Sequence, residues 1–324
     1  MNAIVVYGAT GHTGRFVVEE LLRQNLPVIV SGRNATALAE QWGHLDVRPA
    51  AVDDPHALDK AMKNAAAVIN AAGPFATTAD PVIEAAARQR IRYVDVAAEI
   101  EANVATFARR SDLPIVPAMA FYGGIGDLLT TALLGERTAA GSVQVAYGLS
   151  SWHPTPGTRA AGQVSHDRRN GRRVRFADGH LQYHDDSPVQ EDWIFPEPLG
   201  RRRVLAEFSM ADIVTIPSHL DVGEVRTYMT LEAAGDLADA DTPAPAPVDD
   251  EGRSDQTFVV EVRVDGLRAS AAGQDIYAIS APLAVGAVRR ILAGETRTTG
   301  VASAGAMFDG VAFLKDLPLA LDLP

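Results

Sequence analysis

Short apolar runs alternate with stretches of three-to-four periodicity over roughly the first 120 residues. The runs Ala3–Tyr7, Pro27–Ser31, Val47–Val52, Ala66–Ala71, Tyr93–Val96 and Pro114–Ala118 read as strands, the first as a central strand buried on both faces. Between them, Arg15–Gln24 places Val17, Leu21 and Leu22 on one side, as an amphipathic helix requires. Asn34 is placed to cap a helix over Ala35–Trp42, with Gly43 as its stop. Asp54-Pro55 pairs a cap with a first-turn proline for a helix to about Lys63, and Asp80-Pro81 repeats the device before Val82–Arg88. Ala102–Arg110 is the last helix of this series.

The pattern changes after Gly123. Asp127–Leu134 predicts one more helix, after which Ser142–Leu149, Val204–Met210, Asp212–Ile216, Val225–Leu231 and Phe258–Val264 read as strands joined by loops. Asp236–Asp255, rich in Ala, Pro and Asp, reads as an exposed, mobile loop. Helical patterns at Ile276–Leu292 and Gly305–Leu314 close the chain, and their small and apolar residues suggest docking back on the first domain. The predicted class is α/β: a parallel sheet with helices on both faces over residues 1–126, then an α+β domain on a mostly antiparallel sheet over 127–274, then closing helices over 275–324.

Composition narrows the chemistry. The chain is 47% hydrophobic, enough for a substantial core, and carries a net charge of -12, which disfavours nucleic acid as a partner. With no cysteine, disulfides and thiolate chemistry are excluded. Lys60, Lys63 and Lys315 are the only lysines among 29 basic side chains, so nothing between Lys63 and Lys315 can form a Schiff base. The histidines lack metal-ligand spacing and His-Glu-x-x-His is absent, so no metal is expected. No apolar run approaches a membrane span, and Met1-Asn2 leads directly into the first strand; a soluble, cytoplasmic protein with no membrane association is the expectation.

One motif carries a strong signal. Gly8-Ala9-Thr10-Gly11-His12-Thr13-Gly14 follows the first buried strand and opens the first helix. In that setting glycines allow a tight turn, and backbone N–H groups with the helix N-terminus receive a pyrophosphate. This is the signature of a Rossmann-type dinucleotide site, built on Gly8, Thr10, Gly11, His12, Thr13 and Gly14. The second strand ends in Ser31-Gly32-Arg33-Asn34, with no carboxylate for a ribose 2′-hydroxyl. An arginine there suits a 2′-phosphate, so the expected cofactor is NADP, with Arg33 and Asn34 at its adenosine end. Ala71 and Gly73, in the small-residue turn after the fourth strand, let a nicotinamide ribose lie close to the backbone. Asp53 could bond the adenine amine or serve only as a helix cap.

The glycine turn, Ser-Gly-Arg-Asn, Asn70-Ala71-Ala72-Gly73-Pro74 and Tyr93-Val94-Asp95-Val96-Ala97-Ala98-Glu99 together resemble the saccharopine dehydrogenase-like reductases, which include trans-acting enoyl reductases. The resemblance covers about the first 125 residues and returns in the closing stretch from Gly300 to Leu314. It implies an NADP-binding Rossmann domain, a second domain inserted before the closing helices, and reduction of a C=N or activated C=C bond. By analogy it also allows a homodimer through the outer face of the antiparallel sheet. It places Glu99 near the nicotinamide, although the glycine that usually precedes this acid is Ala98 here. Short-chain dehydrogenases share the turn but need Tyr-x-x-x-Lys, which this chain lacks.

The substrate half has candidates without a signature. Tyr122, after the sixth strand, could donate a proton or simply pack at a domain junction. In the loop Ser151–Arg159, His153 suits general acid catalysis and Arg159 a substrate carboxylate. Arg168, Arg169, Arg172, Arg173 and Arg175 look like a solvated hairpin, with an anionic carrier such as coenzyme A as the other reading. The leading expectation is an NADPH-dependent oxidoreductase acting on a small metabolite. The alternative is a non-catalytic NADP(H)-binding regulator.

Overall fold

A computed structural model describes residues 2–324. Its first six strands are β1 (Ile4–Tyr7), β2 (Val28–Ser31), β3 (Asp46–Val47), β4 (Ala67–Asn70), β5 (Arg92–Asp95) and β6 (Ile115–Val116). They pair in parallel in the order β3-β2-β1-β4-β5-β6. Five helices make the crossovers: α1 (His12–Arg23), α2 (Ala35–Trp42), α3 (Pro55–Met62), α4 (Phe75–Gln89) and α5 (Ile100–Phe107). Successive strand side chains point to opposite faces. Ile4, Val6, Val30, Ile69 and Val94 therefore enter one core with α1 and α2, while Val5, Tyr7, Ile29, Val68 and Tyr93 enter the other with α3 and α4. Burial on both sides is why these strands read as continuous apolar runs.

Beyond β6 the chain forms α6 (Gly126–Leu134), β7 (Ala139–Leu149), α7 (Pro156–Arg168), β8 (Arg173–Ala177), β9 (His180–His184), β10 (Gln190–Ile194) and β11 (Arg201–Ala206). It continues with α8 (Asp212–Thr215), β12 (Asp221–Thr230), α9 (Leu231–Ala238), β13 (Thr257–Val264) and β14 (Leu267–Gln274). The second sheet runs β10-β11-β12-β7-β13-β14 with one further strand at its edge, and the β8–β9 hairpin hangs from β12. Its pairings are antiparallel except β7 with β12. The α/β class expected from the sequence, a parallel sheet joined to a largely antiparallel one, is the observed class.

The last fifty residues tie the two sheets together. Helix α10 (Ser280–Ala293) is apolar nearly all round and packs on α1, β4 and β5, closing the face of the first sheet that α1 and α2 leave bare. Val301 then bridges to Ile115 at the β6 edge. The short helices α11 (Ala304–Met307) and α12 (Gly310–Lys315) pack on α6, and β15 (Ala320–Asp322) adds to β14. Within the expected closing segment 275–324, α10 and the Val301 bridge thus lie against the first sheet, and the final turns lie against α6 and β14.

Several elements differ from their sequence reading. Asp212–Ile216 is helical, not a strand: Asp212, Ile213, Thr215 and Ile216 are all buried, so no periodicity marks an exposed face. The Ser151–Arg159 loop ends as the start of α7, where Thr155 accepts from Thr158 N and Pro156 takes the first turn. Helix α4 begins at Phe75 and runs through Pro81, so Asp80-Pro81 is not a cap. Residue Asp309 caps α12 and splits the expected Gly305–Leu314 helix. Strand β11 stops at Ala206 because Glu207 takes a left-handed conformation, φ 55°. The Asp236–Asp255 stretch starts inside α9 and is otherwise largely exposed.

Leu283, Val285, Val288 and Ile291 of α10 are buried. Each such side chain stabilises by about 1.5–3 kcal/mol, together comparable with the ~5–15 kcal/mol of a whole domain. A chain ending at residue 274 should therefore show no cooperative thermal transition. Melting of that fragment at the full-length temperature would refute the packing role of α10.

Candidate functional site

Between β1 and β4 the crossovers leave the first sheet toward opposite ends of the strand order, which opens a crevice at the strands' carboxyl ends. Gly8, at φ +90°, turns the chain out of β1, and a Cβ there would stand 2.8 Å from Ala72 N and 2.9 Å from the Ala71 carbonyl carbon. A Cβ on Gly14 would sit 2.0 Å from the Gly8 oxygen, so only glycine lets α1 start this close to the turn. The Trp42 indole, donating to Ala9 O at 3.0 Å, holds the turn from outside. No side chain caps α1, and the His12, Thr13 and Gly14 amides have no partner among the described residues. Unpaired N–H groups at a helix N-terminus are an anion receptor.

These groups line one end of a single cavity of about 930 Å³, large for a small-molecule site. Gly8, Thr10, Gly11, His12 and Thr13 form its floor there, Arg33 and Asn34 its rim, and Ala71 and Gly73 the adjoining wall. Gly14 lies beneath the turn and not on the wall. Arg33 is exposed and makes no hydrogen bond or ion pair among the described residues, whereas Asn34 uses Oδ1 to accept from Ala37 N. Asp53 is exposed and does not itself line the cavity, where its neighbour Val52 stands, although it lies close enough to Tyr7 on that wall to act on its hydroxyl.

Polar groups behind the wall set its shape. Asn70 accepts from Ala72 N and donates to the Tyr93 hydroxyl, which donates in turn to Asp95 at 2.8 Å. Asp95 also accepts from Ala97 N and Ala118 N; burial pushes its carboxyl up to about 6, against those bonds. Glu99 lines the cavity and accepts from Phe75 N at 2.7 Å and Ala76 N at 2.9 Å, capping α4 across the fold. Burial raises its carboxyl above the usual range, and the two amides oppose the shift. The acid at the end of the Tyr93–Glu99 motif is therefore the anchor of the Gly73-Pro74 turn.

Farther along the cavity stands Tyr122, packed against Phe121, Tyr147 and Trp152 with ring centroids 4.7, 4.9 and 5.2 Å away. Its hydroxyl is buried without a hydrogen-bond partner among the described residues, and burial raises its pKa well above the ordinary value. His153 and Arg159 do not reach this cavity. Arg159 donates to the carbonyls of Asp239 and Thr242, clamping the chain after α9, and His153 is not on the wall that Trp152 and Thr155 form. Tyr277 was not singled out in the sequence because nothing marks it there. It lines the cavity, lies edge-on to His12 at 5.1 Å, accepts from Trp152 Nε1 and Thr155 N, and shares a hydrogen bond with the Thr158 hydroxyl. Burial lowers the His12 pKa, so its ring is neutral at pH 7, and Nε2 is buried without a partner.

Residues 8–111 match the NAD(P)H-binding family. Over 111 residues the chain is 34% identical to a lipid droplet localized protein of Caenorhabditis elegans, covering 30% of this chain and 26% of that one. Over 142 residues it is 29% identical to a probable mitochondrial saccharopine dehydrogenase-like oxidoreductase of Arabidopsis thaliana, covering 36% and 31%. The apo saccharopine dehydrogenase (L-Glu forming) of Saccharomyces cerevisiae shares the fold across 99% of this chain and 100% of that one, with a TM-score of 0.60 and 11% identity. Over its nucleotide-binding part the chain is similar in sequence to saccharopine dehydrogenase-like oxidoreductases, and over its whole length it shares a saccharopine dehydrogenase fold. The matched stretch spans less than a third of these curated relatives, so the relationship by sequence rests on the nucleotide-binding half.

The second half of the chain supports Tyr122 from behind. Gly123, at φ +88°, turns the backbone where a Cβ would meet Ala211 Cβ at 2.8 Å. Tyr147, packed on Tyr122, donates to Asp212 at 2.7 Å, while Asp212 Oδ1 is buried without a partner beside Gly126. Burial pushes the Asp212 carboxyl up to about 7; the Tyr147 bond opposes this and nearby Asp127 adds to it. Between about pH 4 and 7 the folded protein keeps a proton that the unfolded chain releases, so this stabilisation is lost as pH rises through that window. The linkage is on the order of a few kcal/mol. Asp212→Asn should flatten the fall in melting temperature between pH 4 and 7. A mutant profile parallel to wild type would exclude Asp212 as the titrating group.

Proposed function

We propose that the protein is an NADPH-dependent oxidoreductase that reduces a C=N, activated C=C or C=O bond of a small metabolite. The residues fit a dinucleotide: unpaired amides at His12, Thr13 and Gly14 for the pyrophosphate, a backbone cradle at Gly8 that a Cβ would fill, and the small-residue turn Ala71–Gly73 for the nicotinamide ribose. The observation that carries the preference for NADP over NAD is Arg33, a guanidinium with no partner among the described residues, at the tip of β2 on the cavity rim. Bound NADPH supplies hydride. Glu99 keeps the Gly73-Pro74 turn in place by holding the α4 amides. Tyr122 holds its proton at Oη, because burial disfavours the phenolate. It serves as a hydrogen-bond donor that polarises an acceptor oxygen or nitrogen and excludes water from that side.

Arg33 is the only arginine or lysine between Arg23 and Arg48, and the chain's net charge of -12 gives a 2′-phosphate no general attraction. A charge-assisted hydrogen bond contributes about 1.5–3 kcal/mol, roughly tenfold to a hundredfold in affinity. Arg33→Ala should weaken NADPH by that factor and leave NADH nearly unchanged, and Arg33→Asp should weaken NADPH further. Titrations followed by nicotinamide fluorescence read both cofactors. Equal losses for the two would make Arg33 structural, and unchanged NADPH binding would overturn the assignment. Tight NADPH binding with no oxidation across imines, enones and ketones would favour a regulator.

A further inference from the structure

Helix α7 has thirteen residues, of which only Ser165 is buried. A helix with so little apolar burial is not held by a core. It is pinned at its ends instead: Thr155 and Thr158 bond the Tyr277 hydroxyl at the start, and beyond the last turn Arg169 sits 3.6 Å from Glu101. Thr158, Ala161, Gly162, Ser165 and Arg169 fall at i, i+3, i+4, i+7 and i+11, and all line the cavity. That face offers small side chains, then a guanidinium, with His166 beside it on the same wall. The remaining walls of this half include Tyr122, Trp152, Phe208 and Met210.

The structure sorts the arginine cluster. Arg172 stacks on Tyr183 at 5.2 Å, Arg173 donates to the Ala206 and Glu207 carbonyls, and Arg175 donates to Gln182 and Asp186. Arg168 is exposed and off the cavity wall. Arg169 alone of the five lines the cavity. Its Nε donates to Ser165 O, and its two Nη groups have no hydrogen-bond partner among the described residues. Of the nearby acids, Glu101 offsets part of its charge from the Nε side, and Glu99 is committed to the α4 amides. The start of α7 touches Tyr277, which touches His12 in the phosphate turn. Arg169 lies at the other end, about 20 Å along a helix of this length, and so serves a different group from the dinucleotide's pyrophosphate.

Resting on the oxidoreductase reading above, we infer that the substrate has an apolar body and an anionic end group, a carboxylate or a phosphate, received by the free fork of Arg169 with His166 beside it. The apolar body lies along the small-residue face of α7 against Trp152 and Phe208, and the fork gives bidentate recognition that an ammonium cannot.

The test uses NADPH-loaded full-length protein and three probes that differ in one group: 3-phenylpropionate, 3-phenylpropyl phosphate and 3-phenylpropanamide, titrated by calorimetry. Wild type should bind at least one anion about tenfold or more tightly than the amide, and whichever anion is preferred identifies the end group. Arg169→Ala should bring acid and amide within about twofold, Arg169→Lys should keep part of the preference, and Arg172→Ala should leave it unchanged. Because Arg169→Ala strands the Glu101 carboxylate, Arg169→Ala with Glu101→Gln is the second variant, with its melting temperature as the check on folding. Equal binding of the three probes, no binding of either anion, or a preference that survives in the double variant overturns the inference. NADPH affinity is measured first in each protein, and the probes are repeated without cofactor. A failure of the nucleotide reading is thereby separate from a failure at Arg169.

Discussion

The candidate site depends on a contact between two backbones. Gly8 at the end of β1 lies against Ala71 and Ala72 at the end of β4 with no room for a side-chain carbon between them. Those two strands flank the point where the sheet order reverses, so the contact sits under the crevice. Were Gly8 any residue with a Cβ, the β4 turn would move outward, and the turn carries Gly73 and Pro74 into the α4 N-terminus. Glu99 grips that terminus from the start of α5. The ends of β1 and β4 and the starts of α4 and α5 are thus held together by one steric constraint and two charge-assisted hydrogen bonds.

The electrostatics follow a related logic. Under the proposed function an acidic protein that receives a polyphosphate must provide attraction locally, and the groups available for it cost little net charge: helix amides without partners among the described residues, glycine backbone, and one rim arginine. The buried acids face inward and are satisfied by N–H groups or hydroxyls, as with Asp95 and Glu99, or kept protonated by burial near neutral pH, as with Asp212.

The first half of the fold was legible because its signals are local. Asn34 and Asp54 cap the helices they precede, Gly8–Gly14 sits between a strand and a helix, and doubly buried strands show as apolar runs. The second half was less so. In Asp212–Ile216 every side but the backbone is buried, which erases the period that separates a strand from a helix. Helix α7 was hidden for the opposite reason: it buries one residue, and its inner face is turned to a cavity, so it shows no apolar stripe. His153 and Arg159 were singled out for density of polar residues in the Ser151–Arg159 stretch. Sequence density does not say which way a helix start points its side chains, and α7 presents Thr158 to the cavity while Arg159 goes to the carbonyls after α9.

Tyr277 shows why the remaining site residues needed the fold. It stands just before α10, and α10 belongs to the part of the chain that returns across the first sheet after the whole second sheet has been made. That return brings a hydroxyl to the start of α7 and a ring edge to His12, residues separated by most of the sequence. The same packing of α10 that covers the first sheet therefore also sets the distance between the phosphate turn and the helix that walls the other half of the cavity. Stability and site geometry share one interface, so a change in α10 packing at Leu283 or Val288 would reach the cavity through Tyr277 without any altered side chain lining it.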